Sequence, residues 1–378
     1  MNIGLLVNPI AGMGGRVGLK GTDGIVDEAI RRGASPVAPG RALEFLTALE
    51  SIIISLKLRD KIRIVTCPGK MGEDVVQEAG LKHEVVPIDI ENSTTAEDTK
   101  DCVLALYEED VQLLVFVGGD GTARDILDAV NTYDLDDLLV LGVPSGVKMY
   151  SGIFVVNPAD AAEVVRLVYE GTAQTAEFEI MDADESAIRQ DQFIINLYGY
   201  LKGPSVPARF QGAKQASPET SDEHEAQEAI AKYVIEQLDQ DAIYILGPGT
   251  TLKTVTDLLK VKKTTLGVDV YKQGKMHLDV NEDEILALVD DFNRTWIIVS
   301  PIGHQGMLFG RGNQQISPGI IDRVGRERII VICTPSKLKG IAGEALRVDT
   351  GDTEVDNLLR GYIRVITDYN EMRLIKIE

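Results

Sequence analysis

The sequence predicts an α/β protein of two domains, the first of them a Rossmann-like parallel sheet. Short apolar runs, each closed by Gly, Pro or Asn, alternate with stretches whose apolar residues recur at helical spacing. This alternation is typical of a parallel sheet covered on both faces by helices. A length of 378 residues allows two domains, and 44% hydrophobic with 26% charged residues is the composition of a folded globular protein.

The first domain is predicted over residues 1–155. Five apolar runs predict its strands: Ile3–Val7, Ile62–Val65, Val85–Ile88, Leu113–Val117 and Leu138–Val143. Helices are predicted between them, at Ala96–Glu108 and Thr122–Asn131, because apolar residues there fall on one helical face.

The second domain, residues 156–345, has a less regular pattern. Its predicted strands are Glu177–Met181, Phe193–Tyr198, Ala242–Leu246, Trp296–Val299 and Ile329–Cys333. Helical periods near residues 252–260 and 282–291 exclude an all-β domain. In the tail, residues 346–378, the alternating runs Tyr362–Thr367 and Met372–Ile377 predict a closing hairpin.

The charge of the chain argues against polyanionic partners. Lys and Arg number 38 against 59 Asp and Glu, a formal charge of −21. The field of such a molecule repels nucleic acid, although a local basic pocket could still bind a small anion. No apolar run approaches the ~18 residues of a membrane span, and no basic amphipathic helix suits a membrane surface.

The cysteines favour a reduced, cytoplasmic setting. Cys67, Cys102 and Cys333 are odd in number and form no CxxC pair. The opening MNIGLLVNPI lacks a basic leader and predicts a first strand instead of a signal peptide.

The sequence contains no recognisable metal-binding or serine-hydrolase motif. The spacing of His83, His224 and His277 does not suit a metal ion, so no metal site is predicted. The GxSxG motif of serine hydrolases does not occur.

The most specific signal is LLVFVGGDGT, residues 113–122. It predicts a buried strand, then a turn with three glycines, and a helix that begins immediately after the turn. Gly118, Gly119 and Gly121 would let a ligand approach the backbone closely, and the helix start favours phosphate. Asp120 is unexpected there, since a carboxylate repels phosphate unless a metal or a proton-donating hydroxyl intervenes. The alternative is that Asp120 only caps the helix.

A second glycine cluster, NPIAGMGGRVGLKGTDG, follows the first strand from Asn8. Ligands of open α/β sheets bind at that edge, so the cluster predicts a phosphate nest. It is not the dinucleotide fingerprint, because Val17 stands where a third glycine is required, and the chain contains no P-loop motif. A flexible surface loop is the alternative.

Three more glycine-containing segments also follow predicted strands. GVPSGVKMYSG, residues 142–152, contains Ser145 and Lys148, the latter a phosphate contact or a solvated surface lysine. GPGTT, residues 247–251, joins a strand to a helix. PIGHQGMLFGRGNQQ, residues 301–315, offers amides suited to a base or ribose, or serves only as a turn.

These blocks together resemble the NAD kinase superfamily, whose signature is GGDGT after a buried strand, and within it the ATP-NAD kinase/AcoX-like proteins. The match covers nearly the whole chain, with five blocks in the family's order. The resemblance implies a second, β-rich α/β domain, and we expect the segment 346–378 to pack back on the first domain. It also favours a homo-oligomer.

The resemblance implies phosphoryl transfer from ATP, or from polyphosphate in some members, to the 2′-hydroxyl of NAD. Asp120 would be the catalytic residue, Mg²⁺ would arrive with the nucleotide, and small-molecule nucleotides would be the partners. The candidate nucleotide-binding residues are Asn8, Gly12, Gly14, Gly15, Gly118, Gly119, Gly121, Thr122, Ser145, Lys148, Gly249, Thr250, Thr251, Arg311 and Asn313.

One departure concerns the acceptor. NAD kinases carry an Asn-Glu pair before the threonine-rich turn, but this chain has INLYGYLKG there, and its Asn281-Glu282 comes after the turn. Two alternatives therefore stay open: the same chemistry on a lipid or small polyol, and a nucleotide-binding regulatory protein without catalysis.

Overall fold

The computed structural model describes residues 1–14, 30–31, 33–90, 94–145, 149–183, 195–206, 221–302, 306–341, 343 and 345–378. They form two compact units, one built mainly from residues before 207 and one from residues 221 onward. None of the helices within these ranges is long and apolar enough to cross a membrane.

The first unit is built on a five-stranded parallel sheet, which confirms the predicted α/β class. Its strands are β1 (Asn2–Val7), β2 (Arg63–Thr66), β3 (His83–Val85), β4 (Leu113–Gly118) and β5 (Leu139–Pro144). They lie in the order β3-β2-β1-β4-β5, and every neighbouring pair is parallel. The chain thus moves outward from β1 to β3 and returns to β4, so the strand order reverses between β1 and β4.

Helices cover both faces of this sheet. They are α1 (Ala38–Ser55), α2 (Glu73–Glu78), α3 (Ala96–Glu108), α4 (Asp120–Thr132) and α5 (Pro158–Tyr169). Successive strand side chains alternate between the two layers: Leu5 packs with α1 and α5, whereas Leu6 packs with α3 and α4. Helix α3 has the predicted bounds because Thr95 and Asp98 bond reciprocally across its first turn.

A long antiparallel hairpin completes the first unit and corrects the predicted boundary at residue 155. Its strands are β6 (Gln174–Ala183) and β7 (Ile195–Ser205). Ile180 and Leu201 are buried in the same core layer as α3 and α4, and the Tyr198 hydroxyl donates to Asp128 of α4 at 2.9 Å. The hairpin therefore belongs to the first unit, because its apolar side chains complete that core.

The second unit contains a seven-stranded mixed sheet in the order β10-β9-β8-β11-β13-β15-β16. These strands are β8 (Ile243–Leu246), β9 (Asp269–Lys272), β10 (Lys275–His277), β11 (Thr295–Val299), β13 (Ile329–Ile332), β15 (Gly361–Asp368) and β16 (Glu371–Ile377), and a separate parallel pair consists of β12 (Met307–Phe309) and β14 (Arg347–Val348). The central strands β8, β11, β13 and β15 are parallel, and antiparallel strands flank them.

The second sheet is also covered by helices. They are α6 (Ser221–Glu236), α7 (Thr250–Leu258), α8 (Glu282–Leu288), α9 (Pro318–Val324), α10 (Pro335–Lys339) and α11 (Thr353–Leu359), with short 3₁₀ turns at Gly69–Met71 in the first unit and at Phe292–Arg294 and Arg326–Arg328 in the second. Ile298 packs with α6 and α7, whereas Ile297 packs in the opposite layer. The second unit is thus a sheet-rich α/β unit, as predicted.

The C-terminal segment belongs to the second unit, and its predicted packing on the first domain stays a prediction. Its hairpin, β15 and β16, has the predicted bounds within one residue, but β15 pairs with β13 through Val331–Val365 and Ile332–Ile366. Val365 is wholly buried in the core of the second unit. The tail extends the second sheet because its alternating apolar face completes that core.

Candidate functional site

The turns after β1, β4 and β5 lie at one edge of the first sheet, the edge formed by the carboxyl ends of its strands. The reversal of strand order between β1 and β4 places this edge at the topological switch point, where open α/β sheets bind their ligands. The predicted first loop and the GGDGT turn are therefore neighbours by topology.

Asp120 is the first residue of α4 and is partly buried. Its carboxylate accepts two backbone N–H groups from the segment after β5: Oδ2 from Tyr150 at 2.7 Å and Oδ1 from Ser151 at 2.9 Å. The N-cap of α4 is Gly119, and no side chain caps this helix. The alternative that Asp120 is only a helix cap is therefore wrong, because its carboxylate bonds across the sheet edge instead of to its own helix.

Asn8 joins the first loop to the GGDGT turn. Its Nδ2 donates to Thr122 Oγ1 at 2.9 Å, and its Oδ1 accepts the N–H of Ile10 at 3.2 Å. Thr122 is only 2% exposed, and a Cβ added at Gly118 would lie 2.5 Å from the Thr122 hydroxyl oxygen. Gly118 is required because the turn packs directly on that threonine.

Gly12 brings the first loop against the segment after β5. Its φ is +81°, and a Cβ there would lie 1.9 Å from the carbonyl oxygen of Ser145. Glycine is required both by this left-handed conformation and by the close approach. Ser145 itself is 2% exposed, donates its N–H to the Gly118 carbonyl at 3.0 Å, and has a buried hydroxyl without a hydrogen-bond partner among the described residues.

Gly119 differs from these two glycines. Its φ is −123°, which any residue adopts, and a Cβ there would meet no described atom within 4 Å. The absent side chain therefore leaves open space at the N-terminus of the 13-residue helix α4. That is the end of a helix at which backbone N–H groups bind anions. Gly121 lies in the first turn of the same helix and is partly buried.

Three contributors to this edge carry no individual signal in the sequence. Tyr150 and Ser151 act through backbone N–H groups, and the Ser151 hydroxyl also accepts the N–H of Met181, which connects Asp120 to the hairpin. Arg41 of α1 is 8% exposed and donates from Nε to the Pro144 carbonyl at 3.2 Å. No motif marks Arg41, because only the packing of α1 on β5 brings it here.

GPGTT lies at the carboxyl end of β8 in the second unit. Gly249 is the N-cap of α7 with φ +121° and donates its N–H to the Thr265 carbonyl. Thr250 is exposed and its hydroxyl accepts from Gln227 of α6 at 3.4 Å, whereas Thr251 is buried. The predicted strand-to-helix turn is confirmed, and Thr250 is the threonine of this turn that a ligand can reach directly.

Arg311 and Asn313 are both buried in the second unit. The guanidinium of Arg311 lies 3.8 Å from the Asp349 carboxylate. Asn313 is fully buried; its Oδ1 accepts the Gly310 N–H, and its Nδ2 donates to the Leu308 carbonyl. The amide of Asn313 therefore stabilises its own loop, and its contact with a nucleotide stays a prediction.

Some predicted residues cannot be placed. Gly15 and Lys148 lie outside the described residues, and Gly14 is a buried turn residue. Asn281-Glu282, the pair that comes after the threonine-rich turn, starts a helix. Asn281 is the N-cap of α8 and forms a capping box with Glu284. This arrangement explains why the pair occurs after the turn, where it starts a helix.

Metal ligands are sparse in the part of the chain that the structure describes. It contains no group of three His, Cys, Asp or Glu side chains that could hold a metal ion.

Comparison with known proteins assigns both halves of the chain to one family. The ATP-NAD kinase N-terminal domain matches residues 3–173, and the ATP-NAD kinase C-terminal domain matches residues 239–377. A search of curated proteins finds no match.

Among solved structures, the chain is similar to a putative UDP-N-acetylglucosamine 2-epimerase from Listeria monocytogenes, at 10% identity and a TM-score of 0.25 over 92% of this chain and 78% of that one. A second UDP-N-acetylglucosamine 2-epimerase gives 9% identity and a TM-score of 0.24 over 95% and 85%. Likeness this low supports no argument about fold or function, whereas the two family matches span both sheets. The chain belongs to the ATP-NAD kinase family and is a kinase of that family.

Proposed function

We propose that this kinase transfers the γ-phosphate of ATP, or a phosphate of polyphosphate, to the 2′-hydroxyl of NAD to give NADP. The single observation that supports this most is the carboxylate of Asp120, fixed by two backbone N–H groups at the carboxyl edge of the first sheet. It lies directly after Gly119, whose missing side chain leaves open space at the start of the helix. A fixed acceptor of hydrogen bonds beside an anion-binding helix end suits an alcohol and a phosphate that must meet.

Asp120 holds the attacking hydroxyl in the proposed reaction. Phosphoryl transfer has a loose transition state, so alignment of the acceptor oxygen with the phosphorus supplies much of the catalysis. A carboxylate is too weak a base to ionise a sugar hydroxyl beforehand. It therefore accepts the proton late, when the forming P–O bond has made that oxygen acidic.

The remaining residues of the edge hold the phosphates in this proposal. The open N-terminus of α4 offers N–H groups at Gly119 and Gly121, and the bond between Asn8 and Thr122 fixes the first loop beside them. Ser145 contributes a buried hydroxyl that the described residues leave unbonded. Mg²⁺ bound to the nucleotide phosphates would neutralise charge, which needs no protein-only cage.

In the second unit, Gly249, Thr250 and Thr251 remain the proposed nucleotide contacts, with Arg311 as a proposed source of positive charge. Thr250 is exposed at the end of β8. Because Arg311 is paired with Asp349, part of its positive charge is already balanced before a nucleotide binds.

An acceptor panel tests the proposal. The purified chain is incubated with γ-labelled ATP, with labelled polyphosphate as a second donor, with Mg²⁺, and with NAD, NADH, sphingosine or glycerol in parallel. We expect label in NADP. Label in lipid or glycerol would identify a different acceptor, as the missing Asn-Glu pair allows, and nucleotide binding without transfer to any acceptor would contradict catalysis.

A further inference from the structure

The second unit contains a group of polar side chains that the proposed reaction does not use. It lies where the parallel strands β11 and β13 end. Ser300 follows β11, and the turn Thr334-Pro335-Ser336-Lys337 follows β13. Glu223, in the first turn of α6, lies against this turn.

The Glu223 carboxylate is bound by hydroxyl groups. Thr334 Oγ1 donates to its Oε1 at 2.6 Å, and the Ser336 hydroxyl donates to its Oε2. Both oxygens of one carboxylate are thus held by side chains of one strand-to-helix turn. Two oxygens of a phosphoryl group could accept the same two hydrogen bonds.

A cation completes the group. Lys337 is mostly removed from solvent, and its Nζ donates to Ser300 Oγ at 3.2 Å. Burial lowers the pKa of Lys337, and the nearby Glu223 charge acts in the opposite direction. An ammonium that is largely shielded from water favours a nearby anion, and in this structure the charge of Glu223 acts on Lys337.

We infer that Thr334, Ser336 and Lys337 form a binding site for a phosphoryl oxyanion, and that Glu223 occupies this site in the structure as an internal substitute for the ligand. The position fits, because ligands of α/β sheets bind outside the carboxyl ends of parallel strands. Ser336 is exposed, so an external anion can reach the site once Glu223 withdraws.

Helix α6 connects this site to the GPGTT turn. Glu223 and Gln227 are one turn apart on the same face, and Gln227 bonds Thr250 and Thr254 of α7. One helix thus contacts the turn after β8 and the turn after β13, the two strands that flank β11 in the second sheet. The inference requires neither ATP nor NAD as substrate, so it can fail or succeed independently of the proposed reaction.

Calorimetric titration of inorganic phosphate into the full chain tests the site. Glu223→Gln removes the competing charge and should tighten phosphate binding by about tenfold or more. Glu225→Gln is the matched control, since it removes one exposed carboxylate from the same helix. Adding Lys337→Met to the Glu223→Gln variant should abolish the gain. Equal phosphate affinity in the two single variants, or a gain that survives without Lys337, would overturn the inference.

Hydrogen exchange of the unaltered chain gives an independent test that needs no variant. Rising phosphate should displace Glu223 and increase amide exchange in the first two turns of α6. Exchange there that is unaffected by phosphate would also overturn the inference. A parallel titration with AMP distinguishes free phosphate from the phosphoryl group of a nucleotide as the preferred source.

Discussion

Two carboxylates lie at the carboxyl edges of the two sheets, and they are held in different ways. Asp120 in the first unit accepts two backbone N–H groups, from Tyr150 and Ser151. Glu223 in the second unit accepts side-chain hydroxyls, from Thr334 and Ser336. Backbone N–H groups are held in place by the path of the main chain, whereas hydroxyls rotate and can turn to another acceptor.

The difference indicates which carboxylate is suited to chemistry and which to exchange. A group that must orient a substrate hydroxyl benefits from rigid support, because small errors in position lower the rate strongly. A group that can leave its site for an external anion benefits from donors that serve either ligand.

Breaking the buried ion pair of the second unit should strongly lower the unfolding free energy. Lys263 and Asp269 form an ion pair of 3.1 Å whose side chains are both 0% exposed. Lys263→Met leaves the Asp269 carboxylate buried without its cation, and we expect a loss of about 3–5 kcal/mol in unfolding free energy. Urea unfolding measures it.

The matched control is Lys253→Met, whose partner Asp257 lies one turn away on α7 at 2.9 Å and is exposed. Its loss should be only about 0.3–0.5 kcal/mol. Similar losses in both variants would contradict the view that the second unit depends on its buried pair.

The first loop should be sensitive at Gly12. Gly12→Ala adds a Cβ 1.9 Å from the Ser145 carbonyl at a φ of +81°, and we expect a loss of about 2–4 kcal/mol together with weaker nucleotide binding. Gly33→Ala is the control, because its φ is +83° but no described atom lies within 4 Å of the added Cβ. A loss at Gly12 no larger than at Gly33 would show that the close contact with Ser145 is unimportant.

The smallest effect concerns pH. Burial raises the pKa of Asp356, although hydrogen bonds from Thr350 partly oppose this. Its contribution to stability is therefore complete below the pKa of the unfolded chain and is lost as pH rises through the folded pKa. Asp356→Asn should remove this loss, so the variant gains stability relative to the parent between acidic and neutral pH.

Asp290 should behave in the opposite sense. Lys272 lowers its pKa, so its contribution is present above the unfolded pKa and is lost as pH falls. Unfolding curves at several pH values, for Asp356→Asn and Asp290→Asn, separate the two signs. The same pH dependence in both would contradict the assignment of burial as the dominant cause at Asp356.

Much of the fold follows from local patterns. The alternation of apolar runs and helical periods predicts β1, β2, β4 and β5 of the first sheet, whereas β3 begins two residues before the predicted run Val85–Ile88 and ends at its first residue. The predicted bounds of α3 match because Thr95 caps it. The GGDGT and GPGTT turns both join strand to helix as predicted. These features depend on residues that are close in sequence, so they can be predicted from the sequence alone.

What the sequence could not predict depends on tertiary packing. The hairpin β6–β7 joins the first unit through Ile180 and Leu201, and the tail joins the second sheet through Val365. Alternating apolar residues indicate that a strand is half-buried but do not specify against which core. For the same reason, the role of Ser151 as a backbone donor and the position of Arg41 had no signal in the sequence.

The most direct test of the central claim is the rate of phosphoryl transfer in Asp120→Asn. The variant keeps the size of the side chain but loses the negative charge that holds the hydroxyl. We expect kcat for NADP formation to fall by about 10²–10⁴-fold with little change in nucleotide affinity. Asp128→Asn, two turns further along α4, should retain the parent rate, and thermal unfolding confirms that both variants fold. An Asp120→Asn protein that retains most of the parent kcat would contradict the account.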